Sequence, residues 1–337
     1  MKPVQEENNY IVVVGTSAGG MKALTNLVEQ LPKDFPAPIL IVQHISADAT
    51  GDALLNSLNK IGKLKSIHAK QGNRIEPGYI YFAPSDHLMV EKDGSLLVTK
   101  GAQENRSRPA IDPLFRSAAA SFGNRTIGIL LTGYLDDGTA GLITIQKCGG
   151  ISIIQDPADA DYPDMPTNAL NQMTPDFCVP IAEMGGILST LMIRKPKKQP
   201  AVPQDIIKEV KIAQRVLSDL PSVNSLGEQV PFNCPGCGGV LWKMNKGPGL
   251  RYRCHTGHAY TAASLLAEQT EKIEETMWTA LRMFEERKNL LTTIANDQKG
   301  SIAASARERA AMSQVHIDRI RTILLADDKS SISDSPV

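Results

Sequence analysis

Cysteine is scarce in this sequence. Five in 337 residues is a low and odd number, and three of them gather at Cys234, Cys237 and Cys254. That distribution excludes a disulfide framework and points to metal binding. No charge of one sign prevails, because 36 Lys and Arg balance 36 Asp and Glu. A neutral chain projects no strong field to gather nucleic acid or an anionic membrane. No apolar run approaches the roughly 18 residues of a membrane span. The opening MKPVQEENNY is polar and lacks the apolar stretch of a signal peptide. Internal repeats are missing too. The expectation is a soluble cytoplasmic protein, with no nucleic-acid partner and no membrane insertion. The length gives room for one large core and a smaller module.

What is present begins with alternating strand and helix signals. Residues 11–14, 39–42, 79–83, 127–131 and 151–154 are short apolar runs. Leu24, Leu27, Val28 and Leu31 recur at helical spacing between the first two, and residues 138–147 read as another helix. Continuous apolar strands alternating with amphipathic helices predict a parallel sheet covered on both faces. The fold class expected is α/β, doubly wound, with a small Cys-rich module and a C-terminal helical hairpin.

From 194 to 203 the composition changes to Lys and Pro, which reads as a linker. A short helix is expected over 204–220. Residues 231–260 are rich in Cys, Gly and aromatics with almost no periodicity. Helical patterns return at 262–291 and 301–325. The divisions expected are an α/β region 1–193, linker and helix 194–230, Cys-rich module 231–260, helical hairpin 261–326, and a disordered tail 327–337.

The chemistry starts at Gly15-Thr16-Ser17-Ala18-Gly19-Gly20. This is G-x-S-x-G directly after a strand and before a helix. Such a turn exposes the serine hydroxyl at the carboxyl edge of the sheet, near the positive end of the next helix. A phosphate-cradling glycine loop is the competing reading, although the spacing G-x-G-x-x-G is absent. A nucleophilic serine needs a base, and the base needs a carboxylate. Functional groups in doubly wound sheets gather at the carboxyl ends of strands. His44 follows one strand, His87 lies a few residues beyond another, and Asp136 and Asp137 follow a third. His68 has no such position, and its default is a structural role. Ser17, His44 and Asp137 could therefore converge at one rim.

The motifs GTSAGG, IVQHIS, YIYFAPSDHLMV, SRPAIDPLFRSAA and ILLTGYLDDGTAGL occur in the order found in CheB-type protein-glutamate methylesterases. The chain resembles that family over residues 9–192. The resemblance implies a Ser17–His44–Asp137 triad, with Asp136 at a position where the family tolerates other residues. It implies hydrolysis of glutamyl methyl esters on chemoreceptor-like signalling proteins, often with deamidation of glutamines, and no cofactor for catalysis. It also implies an oxyanion hole. One donor is expected at the backbone N–H of Ala18, after the nucleophile, and the family's second maps to Tyr134. Two departures stand out. The family commonly reads LTG-Met-Gly-x-Asp-Gly where this chain has Tyr134-Leu135-Asp136-Asp137-Gly138. The chain also starts almost at its first strand, so a receiver domain ahead of it is not expected.

Cys234-Pro-Gly-Cys237 supplies half of a tetrahedral thiolate site, and Cys254 with His258 can supply the rest. His255, next to Cys254, is less able to turn to the same metal. Four ligands with no open position suit a structural zinc; three reduced, inert cysteines are the alternative. Leu266, Ile273, Met277, Leu281, Phe284 and Leu291 form one broad face of the following helix. That face either closes a hairpin internally or receives a signalling partner. Two functions thus stand side by side: an esterase or amidase acting on glutamyl side chains, and a signalling adaptor whose zinc-helical module recruits partners.

Overall fold

In the computed structural model, the described residues are 10–45, 50–196, 198, 200–214, 220–244 and 249–326. The tail expected at 327–337, and residues 215–219 of the helix expected over 204–220, lie outside them. The chain divides into two compact units, residues 1–265 and 266–337.

The first unit is built on β1 (Ile11–Thr16), whose six residues are all buried. Ile11 and Val13 face one apolar layer, while Val12 and Val14 face the other. A strand with this pattern has no solvent face and must lie inside a sheet covered on both sides. After it come α1 (Gly20–Glu29), β2 (Ile39–Gln43), α2 (Asp52–Ile61), β3 (Lys65–His68), β4 (Tyr79–Phe82), β5 (His87–Val90) and β6 (Leu96–Thr99). Then follow α3 (Ile111–Phe122), β7 (Thr126–Leu130), α4 (Thr139–Lys147), β8 (Ile151–Gln155), α5 (Asp164–Gln172), β9 (Phe177–Val179) and α6 (Ile181–Met192). Seven of these strands form a sheet in the order β3-β4-β2-β1-β7-β8-β9, parallel throughout. The order reverses at β1, which pairs with β2 on one side and β7 on the other. Connections leaving β1 and β7 diverge there, and the crevice between them is where such sheets hold their reactive groups. β5 and β6 form a separate antiparallel pair.

The segment after the Lys/Pro stretch packs against this core. In α7 (Gln204–Ala213), Ile206, Val210 and Ala213 join the apolar layer of α3. A short α8 (Leu220–Asn224) leads into β10 (Gly227–Asn233), β11 (Val240–Met244), β12 (Arg251–Cys254) and β13 (Ala259–Thr261). These four form an antiparallel sheet. Sequence periodicity shows almost no pattern here, because the strands are short and a third of their buried positions are Cys, Arg or Tyr. The sheet lies against the parallel-sheet region: Asn105 N–H donates to Ala259 O at 2.8 Å, and Arg253 reaches Glu104 at 2.9 Å.

The last strand runs straight into α9 (Ala262–Asp297), which is followed by α10 (Gly300–Leu325). Within the second unit the two helices form a hairpin. Leu291, Ala295 and Ala306 pack together, Phe284 stacks on His316 at 5.0 Å, and Arg321 pairs with Glu285. α9 has 36 residues and α10 has 26, so α10 can cover only part of the α9 stripe. Leu281 and Leu291 are buried, whereas Leu266 and Ile273 remain exposed. Among the described residues no helix is long and apolar enough to cross a membrane.

Candidate active site

Ser17 sits one residue beyond β1. Gly19, at φ +76°, makes the turn that a side-chain-bearing residue would resist, and α1 starts immediately after it. The turn is pinned by backbone and side-chain bonds. Ser17 N–H donates to Thr132 O at 3.0 Å, Gln43 Nε2 donates to Ser17 O at 2.6 Å, and Thr132 Oγ1 donates to Ala18 O at 3.0 Å. A Cβ on Gly133 would stand 2.6 Å from the Ser17 Cβ, so the loop after β7 presses directly on the serine. Ala18, which follows Ser17, and Tyr134, which follows Gly133, are the residues whose N–H groups are expected as oxyanion donors.

His44 lies just past β2, and its own N–H is tied to Thr16 O at 3.0 Å. Its Nδ1 faces Ser17 Oγ at 3.2 Å and its Nε2 faces Asp137 Oδ2 at 2.8 Å. Ionised Asp137 can only accept, so Nε2 carries the hydrogen and Nδ1 is left to accept from the serine hydroxyl. The three residues expected to converge are thus hydrogen-bonded in line at the switch crevice. His87 is elsewhere: it is buried and donates from Nε2 to Ala102 O at 2.7 Å. Burial lowers its pKa, keeping the ring neutral. His68 pairs with Asp52 at 2.8 Å.

Asp137 is buried, yet it is well supplied with donors. Besides His44, it accepts from Ile111 N–H at 2.7 Å, Asn105 Nδ2 at 2.9 Å and Asp112 N–H at 3.2 Å. Ile111 and Asp112 are the first two residues of α3, so the carboxylate occupies the positive end of that helix. Burial opposes its charge, but the bonds from His44, Ile111 and Asn105 outweigh it and hold the pKa below the ordinary value. Its neighbours behave in the opposite way. Burial, and then the charge of Asp137, raises Asp112 to about 7. Burial raises Asp136 to about 6 in spite of the bond it accepts from Thr261 Oγ1 at 2.9 Å. Of the three, only Asp137 has its charged form favoured by its surroundings, and it is the one on the histidine.

Leu135, in the loop between Gly133 and Asp137, has φ +61°. That is the left-handed region where a branched side chain costs about 1–2 kcal/mol, and the resemblance places a glycine at this position. Asn168 Nδ2 holds Leu135 O at 2.8 Å. The bend turns the chain so that Asp136 and Asp137 point into the site while Tyr134 stays exposed against Tyr162.

The family model of the CheB methylesterase matches residues 12–188, more than half of the chain. The chain belongs to the CheB methylesterase family. A CheB-family relative from Leptospira interrogans, a putative protein-glutamate methylesterase/protein-glutamine glutaminase, is 35% identical over 185 residues, 55% of this chain and 95% of that protein. The protein-glutamate methylesterase/protein-glutamine glutaminase of Thiobacillus denitrificans is 37% identical over 164 residues, 48% of this chain. The match spans about half of that longer relative, 46% of its length. The crystal structure of the Thermotoga maritima CheB methylesterase catalytic domain superposes with a TM-score of 0.52 at 32% identity, covering 54% of this chain and 98% of that one. The family model ends at residue 188, ahead of the Cys-rich sheet and the helices after it.

That sheet carries the second constellation. One ligand atom each from Cys234, Cys237, Cys254 and His258 lies within 4.8 Å of the others. Cys237 Sγ is 3.8 Å from Cys254 Sγ, and Cys254 Sγ is 3.6 Å from His258 Nδ1. Two sulfurs held about 2.3 Å from one tetrahedral zinc stand about 3.8 Å apart, so the cluster has the right size. A hydrogen bond from Cys234, with His258 also beside it, holds the Cys254 thiol well below its ordinary pKa; the same contact pushes Cys234 up. A thiolate gathered with two more sulfurs is a donor set that suits a soft divalent cation.

Sequence reasoning missed three parts of this centre: Asn105, the N-terminus of α3, and Thr261. Pro109 two residues ahead of α3 is a signal for the helix start. Nothing local marks Asn105 or Thr261, since their roles arise from contacts over 32 and 125 residues.

Proposed function

We propose that this chain is a protein-glutamate methylesterase working through Ser17, His44 and Asp137, with glutamine deamidation as a sister reaction. The observation that carries the reading is the unbroken line Ser17 Oγ–His44–Asp137 at the carboxyl edge of β1, β2 and β7. The substrate class is a methylated, chemoreceptor-like signalling protein, as the names of the relatives suggest.

The chemistry follows from the roles. Ser17 Oγ attacks the ester carbonyl carbon as His44 Nδ1 takes the hydroxyl proton. The carbonyl oxygen becomes an oxyanion, for which we assign the backbone N–H groups of Ala18 and Tyr134 as donors. Asp137 holds the imidazole in its Nε2–H form and stabilises it once charged. The tetrahedral adduct collapses, the C–OCH3 bond breaks, and Nδ1 returns its proton so that methanol leaves. Water, deprotonated by His44, then attacks the glutamyl-enzyme, and the proton restores Ser17 as the free carboxylate departs. With glutamine, ammonia takes the place of methanol.

Methanol release from methylated receptor fragments tests this. Ser17→Ala should reduce kcat on the order of 10⁶-fold while the unfolding profile stays unchanged. Near-normal turnover, with contaminants excluded, would rule out the covalent route.

In the Cys-rich sheet we assign Cys234, Cys237, Cys254 and His258 as the holders of one structural Zn²⁺. The metal would supply folding energy to a segment with little apolar core. Metal analysis of protein purified without chelators should find about one zinc per chain and less in Cys237→Ser. Equal contents, or no zinc in the wild type, would sink this assignment.

A further inference from the structure

Among the described residues the end of the Cys-rich sheet reaches the candidate active site through Thr261, and part of that contact runs through a single amide. Asn105 sits in the left-handed region at φ +49°. Its Nδ2 has two hydrogens and both are used, one on Asp137 Oδ1 at 2.9 Å and one on Asp112 Oδ2 at 3.0 Å. An amide can bind in this way in only one of its two flipped orientations. The other would turn its oxygen on two carboxylates. The orientation is set from the far side, where Asn105 Oδ1 accepts Thr261 N–H at 3.2 Å and Ser264 Oγ lies at 3.4 Å. Thr261 also reaches past Asn105, donating from Oγ1 to Asp136 Oδ1 at 2.9 Å. The end of β13 thus contacts both aspartates of the loop after β7, one directly and one through Asn105.

Buried charge fixes β13 in that place. Glu104, next to Asn105, binds Arg116 of α3 and Arg253 of β12. Glu209 of α7 binds Arg251 at 2.8 Å and lies 3.7 Å from Arg116. Arg116 and Arg253 are the largest fully buried side chains of the protein's described residues. The turn from β12 to β13 is closed by Cys254 N–H to His258 O at 3.0 Å, and both residues belong to the candidate metal cluster. The geometry that places Thr261 therefore starts at the thiol cluster.

We propose that Asn105 and Thr261 are positioning residues for Asp137, and that the Cys-rich sheet completes the active site by orienting the Asn105 amide. The inference rests on the Ser17–His44–Asp137 reading. It makes esterase activity depend on a module that lies outside the Ser17–His44–Asp137 line.

Five single variants, one double variant and two readouts test it. One readout is kcat and KM for methanol release from methylated receptor fragments. The other is the proton resonance of His44 Nε2–H, followed by NMR, which reports its bond to Asp137 whether or not catalysis occurs. Asn105→Gly keeps the left-handed backbone and removes the amide; it should lower kcat about 100-fold with little change in KM. Thr261→Val keeps the N–H that Asn105 accepts and removes the Oγ1 bond that holds the end of β13 to Asp136; it should lower kcat about tenfold, and Thr261→Ser should recover most of that loss. The Nε2–H resonance should broaden or vanish in Asn105→Gly and weaken in Thr261→Val. Cys237→Ser should reduce kcat at least as far as Thr261→Val, and the two together should lose less than the product of the single effects. Ser17→Ala should abolish turnover while leaving the resonance in place. Full kcat with an unmoved resonance in Asn105→Gly, or wild-type behaviour of Thr261→Val, would overturn the proposal. If the wild type released no methanol but the resonance still followed these variants, the esterase reading would fall and the positioning would stand.

Discussion

Two adjacent aspartates in the loop after β7 have opposite tasks, and their surroundings decide which does which. Asp137 lies at the head of α3 with His44, Ile111, Asn105 and Asp112 all donating to it. Asp136 receives Thr261 Oγ1 and is raised to about 6 by burial. An amide in place of Asp137 would present hydrogens to groups that are themselves donors, and would leave His44 without its anionic partner. Asp137→Asn should therefore cost about 10⁴ in kcat. In Asp136→Asn the amide oxygen can still accept from Thr261, so the loss should stay below about tenfold. Steady-state kinetics on both variants checks the ranking, and a reversed order would contradict the role given to each residue.

At the scale of elements, α7 and β12 are joined to α3 by ionised groups with almost no access to water. Glu209 balances Arg251, Arg116 and Arg253 together. Removing one partner of such a cluster leaves charge uncompensated in a poorly polarisable setting, and that costs about 3–5 kcal/mol. Glu209→Gln should lower stability by that amount in urea unfolding, with the loss centred on the first unit. The same cluster explains how far the elements were legible. β1, β2, β7 and β8 were readable because buried parallel strands are runs of Val, Ile and Leu that need no partner to be recognised. Ser17, His44 and Asp137 were readable because each follows such a strand. β3 and β9 lie at the two edges of the sheet, are short, and carry Lys65, Ser66, His68 and Cys178, so no apolar run announces them. β12 reads Arg-Tyr-Arg-Cys, which resembles a solvated loop. Its Arg253 is buried only because Glu104, 149 positions earlier, neutralises it. Pairing across that distance leaves no local trace. The stripe on α9 was visible as a pattern, but which half is covered depends on the length of α10.

For the whole molecule, the acid limb of stability follows from these carboxylates. Burial alone would raise Glu209, but Arg251, Arg116 and Arg253 bring it down from 4.5 to about 2, and Arg116 and Arg253 likewise hold Glu104 low. A depressed folded-state pKa contributes stability above the unfolded value, and that contribution disappears as pH falls through the folded value. Glu209 thus contributes on the order of 3 kcal/mol above pH 4.5, all of it lost by about pH 2. The stability difference between wild type and Glu209→Gln should be constant from pH 7 to 5 and close between 4.5 and 2. Urea titrations at stepped pH measure it; a gap that persists at pH 2 would show that Glu209 acts through packing rather than charge. Thr261 of the sheet and Asp137 of the loop are separated by more than a hundred residues, and this spacing has a consequence for biosynthesis. A ribosome that has delivered residues 1–193 has made the whole parallel sheet and all three residues of the Ser17–His44–Asp137 line. It has not yet made the donor that orients Asn105, nor Arg253, the second of the two arginines that answer Glu104. The nascent chain would carry its hydrolytic groups in a slack state, and would tighten them only when β13 leaves the exit tunnel and docks.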